Sequence, residues 1–431
     1  MSTSIVLRVC AKQTQYTPLA VVGYCLTRSQ FLQPVWAGLD WDMQTRRHAP
    51  VEKLQDVLVS MLAGNTAISE INTTIRPDRP LATAWHRKQF AEQSTVARLL
   101  NRLTDAQIHQ LRHGTQALFR RHSQVWQHAY PRQLLLVDID LTGLRASRRA
   151  EGSQKGYISG QRNVYGRQIV RVSLPTYHET LWSQLYPGAQ PGCATLRPTI
   201  DQVQALLAQS AAQRARTIIR SDAGLGTDAN VNWLLWRKYH LVMKGYSGTR
   251  AACLAAHLTE DAWEEMPEQR RWIAWALTPP RFARRINVFV LRWATQQGMR
   301  HGTLLSTLRS LSPTVTWRLY DGRGAAEVEI RADKQGLHLP CRRKLSFCAQ
   351  EALILVTDLA HNLLAWLHHW VLEDTPFDSF GTLRMVRDLF HIPGYVEFTR
   401  GRLQKVALLK SHPYAEPMRL ILQKLLARFD L

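Results

Sequence analysis

The chain has 431 residues, 45% of them hydrophobic, which is enough for two or three domains with cores of their own. Lysine and arginine outnumber aspartate and glutamate by 55 to 33, giving a net charge of +22 and a pI near 10.2, a balance that favours a polyanionic partner such as nucleic acid. Six scattered cysteines without a C-x-x-C pair exclude a zinc site of that pattern and a disulfide framework; the lack of a signal sequence or an apolar run of about 18 residues predicts a cytoplasmic chain that does not enter a membrane.

Residues 1–50 mix short apolar runs, SIVLRV and LAVVGYCL, with little periodicity, and their role stays open. From residue 51 the pattern turns helical: VEKLQDVLVSMLAG, a break at PDRP, then FAEQSTVARLLNRLT and DAQIHQLRHGTQALFRRH. Thr104 followed by Asp-Ala-Gln is a capping box closed by Gln107. Ser94 and Thr95 open a segment that reads as the second helix of a helix-turn-helix, with Arg87, Lys88, Arg98 and Arg102 as phosphate contacts.

QLLLVDIDLTG, 133–143, is an apolar run ending in acids, as a central strand delivering carboxylates to its C-terminal edge would be. Asp138 and Asp140 stand two apart and face the same way, so geometry does not choose between them. The segment SRRAEGSQKGYISGQRNVYGRQIVRVSL follows, its glycines 152, 156, 160 and 166 marking turns and its Lys155, Arg162 and Arg167 placed to clamp a nucleic-acid backbone. A linker, PGAQPGCATLRP, leads to a crossover helix over 199–214 and a strand, TIIRSD, that presents Asp222 before two glycines. DANVNWLLWRKY reads as a helix and HLVMKGYSG as a strand with Lys244 at its end, so this part is α/β. RRINVFVLRW and TVTWRLY read as further strands in a stretch rich in tryptophan: Trp263, Trp272, Trp275, Trp293 and Trp317.

Read as one helix, 320–334 (YDGRGAAEVEIRADK) puts Tyr320, Arg323, Glu327, Arg331 and Lys334 on a single face. Glu329 and Asp333 fall about 200° and 240° round from Glu327, off that face. Beyond a short basic segment, FCAQEALILVTDLAHNLLAWLHHWVL is apolar nearly all round and is expected as a long helix buried against the sheet, with His361, His368 and His369 satisfied or exposed rather than ligating. GYVEFTRGRLQKVALLK predicts a hairpin turning at 399–401, and MRLILQKLLARFDL a closing amphipathic helix.

Tyr320, Arg323, Glu327 and Lys334, with two, three and six residues between them, match the Tyr-Arg-Glu-Lys signature of one branch of the DDE transposases of bacterial insertion sequences. The chain resembles that family at all four positions. The resemblance implies an α/β fold in which an RNase H-like core is interrupted by a largely β insertion and preceded by a helical DNA-binding region. Laid on this sequence it gives an N-terminal segment 1–50, a helical region 51–130, a first core part 131–245, an insertion 246–317, a second core part 318–375 with the signature helix, and a C-terminal region 376–431.

It further implies catalysis by Asp140, Asp222 and Glu327 holding two Mg²⁺ ions, for which Mn²⁺ can substitute. Asp140 is preferred because the family's first aspartate is commonly followed by a threonine, here Thr142, while Asp138 remains the alternative ligand. Tyr320, Arg323, Arg331 and Lys334, with Lys155, Arg162, Arg167 and Lys244, would contact DNA, and Trp272, Trp275 or Trp293 would stack a flipped base. The implied partners are the terminal inverted repeats and target DNA, bound by a homodimer on the bacterial nucleoid. The implied activity is metal-dependent strand cleavage and strand transfer through a hairpin intermediate. Two other readings are a transposase-derived protein that only binds DNA, and another RNase H-like nuclease such as a structure-specific resolvase.

Overall fold

The computed structural model describes residues 11–39, 41, 47–266, 270–278, 281–323 and 332–431. They fold as two compact units, one comprising Met1–His122 with Arg331–Leu431 and the other Ser123–Ile330. No helix of the described residues is long and apolar enough to cross a membrane.

The first unit opens with a two-residue strand β1 (Gln13–Thr14) and six helices: α1 (Thr17–Arg28), α2 (Gln33–Trp36), α3 (Pro50–Leu62), α4 (Arg79–Ala84), α5 (Gln93–Asn101) and α6 (Asp105–His122). The segment left open by the sequence therefore carries a helix, α1, buried along most of its length. The capping box forms as expected, with Thr104 N donating to Gln107 Oε1 at 3.0 Å and Gln107 N to Thr104 Oγ1 at 3.4 Å. One expected phosphate contact does not stand. Arg87 is buried against Asp56, Glu52 and His48, and with its donors engaged there it braces the helices rather than facing solvent.

The second unit is built on a mixed sheet of ten strands. They are β2 (Leu135–Arg145), β3 (Gln154–Ile158), β4 (Gln161–Leu174), β5 (Glu179–Pro187), β6 (Thr217–Ser221), β7 (His240–Lys244), β8 (Glu264–Met266), β9 (Arg271–Ala276), β10 (Asn287–Thr295) and β11 (Gly298–Ser306). Their order is β3-β4-β2-β6-β7-β11-β10-β9-β8, with β5 beside β4. β2, β6 and β7 run parallel and every other pairing is antiparallel. Helices α7 (Gly192–Leu207), α8 (Ala211–Arg214), α9 (Asp228–Trp236), α10 (Gly248–Ala255) and α11 (Pro313–Asp321) make the connections.

Five local expectations are corrected here. β2 runs five residues past Asp140 because its C-terminal half still has a partner, β4, after β6 has ended. Of the four glycines expected in turns, Gly152 and Gly160 adopt positive φ, but Gly156 and Gly166 lie inside β3 and β4. The crossover helix starts at Gly192, inside the expected linker, and carries Pro198 within it. TVTWRLY is helix, not strand: Ser312 caps α11 by accepting from Val315 N, Pro313 occupies its first turn, and Trp317 and Tyr320 pack with Ile218, Val242, Ile273, Phe289 and Leu304. α11 ends at Asp321, and Gly322 and Arg323 form a turn, so the single helix expected over 320–334 is not continuous through its first residues.

The chain returns to the first unit with α12 (Phe347–Leu367), the hairpin β12 (Gly394–Thr399) and β13 (Arg402–Leu408), and α13 (Ala415–Arg428). α12 is buried as its composition requires, and within this unit it packs on the helices α3, α5 and α6. The helix–helix contact includes a buried ion pair between Arg112 of α6 and Glu351 of α12. The stretch expected as one core part, 318–375, is thus divided between the units at residues 330 and 331. The hairpin turns where expected, at Arg400 and Gly401, both with positive φ, and β1 joins it as a third strand.

Candidate active site

The parallel pairing of β2 with β6 decides which acids meet. Asp138 is registered with Arg220 and Ile139 with Ser221; one step further on each strand stand Asp140 and Asp222. The two carboxylates are therefore neighbours at the C-terminal end of β6. From this point the chain leaves β2 toward β4 on one side of the sheet and β6 toward β7 on the other, the kind of switch in strand order where α/β sheets open a crevice for ligands.

Asp222 heads a turn in which its Oδ1 accepts from Gly224 N at 3.1 Å. Gly226 then passes so close to the end of β7 that a Cβ there would lie 1.9 Å from Lys244 O, and Gly226 O accepts from Tyr246 N at 3.0 Å. Only glycine lets the turn lie this near the strand. Asp140 keeps 17% of its side chain exposed and accepts from Arg323 Nη1 at 3.3 Å.

Asp138, the alternative ligand, differs. Its side chain is 1% exposed, and both its oxygens are taken by the fork of Arg220, at 2.6 Å from Nε and 2.7 Å from Nη2. The structure thus separates the two acids that the sequence could not, leaving Asp140 as the one of the pair with solvent access. Among the described residues no three His, Cys, Asp or Glu side chains cluster to hold a metal ion. Glu327, like Arg331, lies outside the described residues.

A family model for the transposase DDE domain, group 1, matches residues 38–428. The chain belongs to this DDE transposase family. Six chains among solved structures match it. One is piggyBac transposase in a cryo-EM structure of its synaptic complex with hairpin DNA, 12% identical over 97% of this chain and 83% of that one, with a TM-score of 0.47. No curated protein sequence matches.

In this DDE transposase chain the remaining expected site residues fall into three groups. Lys155 and Arg162 are exposed on the β3–β4 hairpin, Lys155 lying 5.7 Å from the Tyr165 ring centroid. Lys244 projects over the rings of Tyr320 and Trp317, at 5.1 and 5.6 Å, and Lys334 is half-buried in the first unit. Three others are buried. Arg167 donates from Nε to Glu151 O and so secures the segment before β3, a correction to its expected place in a backbone clamp. Tyr320 is 3% exposed within the apolar cluster under α11, and Arg323 points at Asp140 rather than outward.

Of the stacking candidates, Trp275 is exposed, while Trp272 and Trp293 are half-buried beneath Arg292 and Arg271. The sequence reading missed Arg220. Its signal was an arginine inside the short apolar run TIIRSD, all five of whose strand residues are buried.

Proposed function

We propose that this chain is an active cut-and-paste DNA transposase that binds the terminal inverted repeats of an insertion sequence, cleaves at their ends and joins them to target DNA. The observation that carries the reading is the side-by-side position of Asp140 and Asp222, one step beyond the Ile139–Ser221 pair. In this reading β5-β4-β2-β6-β7 is the RNase H-like core, β8–β11 belong to the insertion, and Glu327 completes the acid set.

The donor set fits a hard divalent cation: carboxylate oxygens on β2 and on the turn just after its neighbour β6. When bound by Asp140, Asp222 and Glu327, a pair of Mg²⁺ ions, or Mn²⁺ in their place, supplies an activated nucleophile and a stabilised leaving oxygen for phosphodiester transfer. The chain's own groups do the rest. Arg323 holds the Asp140 carboxylate in one orientation, and Lys155, Arg162, Lys244, Arg331 and Lys334 bind phosphates and fix the strand's register. Burial of Tyr320 supports a role in seating the end of α11 rather than in touching a phosphate. Release of a 3′-OH, its attack on the opposite strand to give a hairpin, and synapsis of two ends by a homodimer complete the proposed sequence.

The test is cleavage of a labelled duplex carrying the inverted repeats that flank this gene, comparing wild type with Asp140→Ala, Asp222→Ala and Glu327→Gln. Nicking or hairpin formation that requires Mg²⁺ or Mn²⁺ and is lost in all three variants, with duplex binding kept, is the expected result. A wild-type chain that binds those ends and never cuts them would replace this function with DNA binding alone. Cutting of branched DNA in preference to the repeat ends would make the chain a resolvase-like nuclease.

A further inference from the structure

We infer that Arg220 is a positioning residue for strand cleavage, a buried guanidinium that ties the Asp140–Asp222 pair to the end of α11; this rests on the catalytic reading of those two acids. Arg220 is 2% exposed inside β6. A charge so deep in a sheet is tolerated only when paired and hydrogen-bonded. Arg220 meets that condition in two directions at once. Nε and Nη2 clasp Asp138 across the β2–β6 pair, and Nη1 donates to Leu319 O at 2.6 Å.

Each contact has a consequence for the site. Asp138 and Arg220 are a registered pair, two residues before Asp140 and Asp222, so the ion pair lies on the same face of the sheet as the acid pair and directly behind it. Leu319 O belongs to the last turn of α11, where carbonyls have no partner within the helix and a cation is favoured by the helix dipole. At Gly322 a Cβ would stand 3.2 Å from Arg220 Nη1, so the chain leaves the helix pressed against the guanidinium. The next residue is Arg323, which reaches Asp140. Three contacts, joined along the chain by β2 and by the end of α11, close a ring: Asp140, Asp138, Arg220, Leu319, Arg323 and back to Asp140.

A buried ion pair is a weak source of stability, since apolar side chains of equal volume do as well or better. Fixed geometry is what this one supplies. A planar fork with five donors can hold a carboxylate along one edge and a carbonyl along another, which an ammonium cannot do in the same orientation. Arg220 thereby sets the spacing between the two neighbouring acids and the turn at Gly322 and Arg323.

The experiment compares wild type with Arg220→Lys and with the neutral pair Asp138→Asn/Arg220→Gln, using the inverted-repeat duplex. Three quantities are read: duplex affinity, the single-turnover cleavage rate, and Mn²⁺ binding to the uncleaved complex by electron paramagnetic resonance. With the fold and duplex affinity kept, the expected result is a loss of about tenfold or more in both Mn²⁺ affinity and cleavage rate, as for other groups that orient metal ligands. Folded variants with wild-type Mn²⁺ affinity and rate would overturn the inference. If the double variant does not fold, Arg220→Lys, which keeps the charge, decides alone. Asp140→Ala separates the two claims: should it still cleave, the acid assignment is at fault, whereas a dead Asp140→Ala beside an unaffected Arg220→Lys defeats the positioning role only.

Discussion

His122, at the end of α6, has its ring stacked 4.0 Å from that of Phe31, and burial, helped by Arg121 and Arg428, lowers its pKa from 6.5 to about 4. A histidine whose folded pKa is depressed favours the neutral form in the fold. Its contribution to stability is present above pH 6.5 and is lost as the pH falls from there toward 4. Burial also lowers His48, His128, His240, His338 and His391, so they add to the same slope. As the pH falls from 7 to 4.5, wild type should therefore lose stability relative to His122→Phe, which keeps the stack; a difference in melting temperature that does not change across that range would remove His122 from the account. At this scale the sequence is legible only as far as local spacing reaches. Asp138 and Asp140 alternate identically along a strand, and what distinguishes them is Arg220, 82 residues away.

Elements were legible where a local signal exists: the Thr104 capping box, the Arg400–Gly401 turn, and the strand that presents Asp222. They were misread where tertiary partners override propensity. The Thr-Val-Thr of α11 favours a strand by composition, yet the Ser312 cap and the apolar cluster over the sheet select a helix. β2 was read as stopping at its acids, because nothing in its own residues reports that β4 would keep pairing with it. The turn from β6 into α9 offers a test at this scale. Gly226→Ala must move either the turn or the end of β7, because the new methyl would sit 1.9 Å from Lys244 O. The expected cost is about 1–3 kcal/mol in urea unfolding, together with loss of cleavage at unchanged duplex affinity, since the displaced turn is the one that carries Asp222. Full activity with lowered stability would mean that the Asp222 turn tolerates displacement.

For the molecule as a whole, composition favoured a polyanionic partner and was silent on how the chain closes on itself. The first unit joins residues from both ends of the sequence, as in Arg112 with Glu351, 239 positions apart, and Arg342 with Asn65 O, 277 apart. No periodicity encodes such pairings; they arise because α12, apolar on nearly every side, must be enclosed and α3, α5 and α6 present the matching faces. The net charge of +22, by contrast, bears directly on binding. Each phosphate neutralised releases counterions and adds about −0.9 to the slope of log affinity against log salt. Lys155 and Arg162 are exposed on the β3–β4 hairpin, whereas Arg167, a few residues on, is buried. Replacing Lys155 and Arg162 together by glutamine should therefore flatten the slope by about 1.8 and weaken specific and random duplexes alike. Arg167→Gln should leave the slope intact while lowering the melting temperature, because it removes a buried brace and no phosphate contact. Binding isotherms between 50 and 300 mM NaCl, at about one-third-decade steps, would decide between them: a slope that responds to Arg167 and not to Lys155 and Arg162 would show that the hairpin opens on DNA and that its buried arginine is the one that reads the backbone.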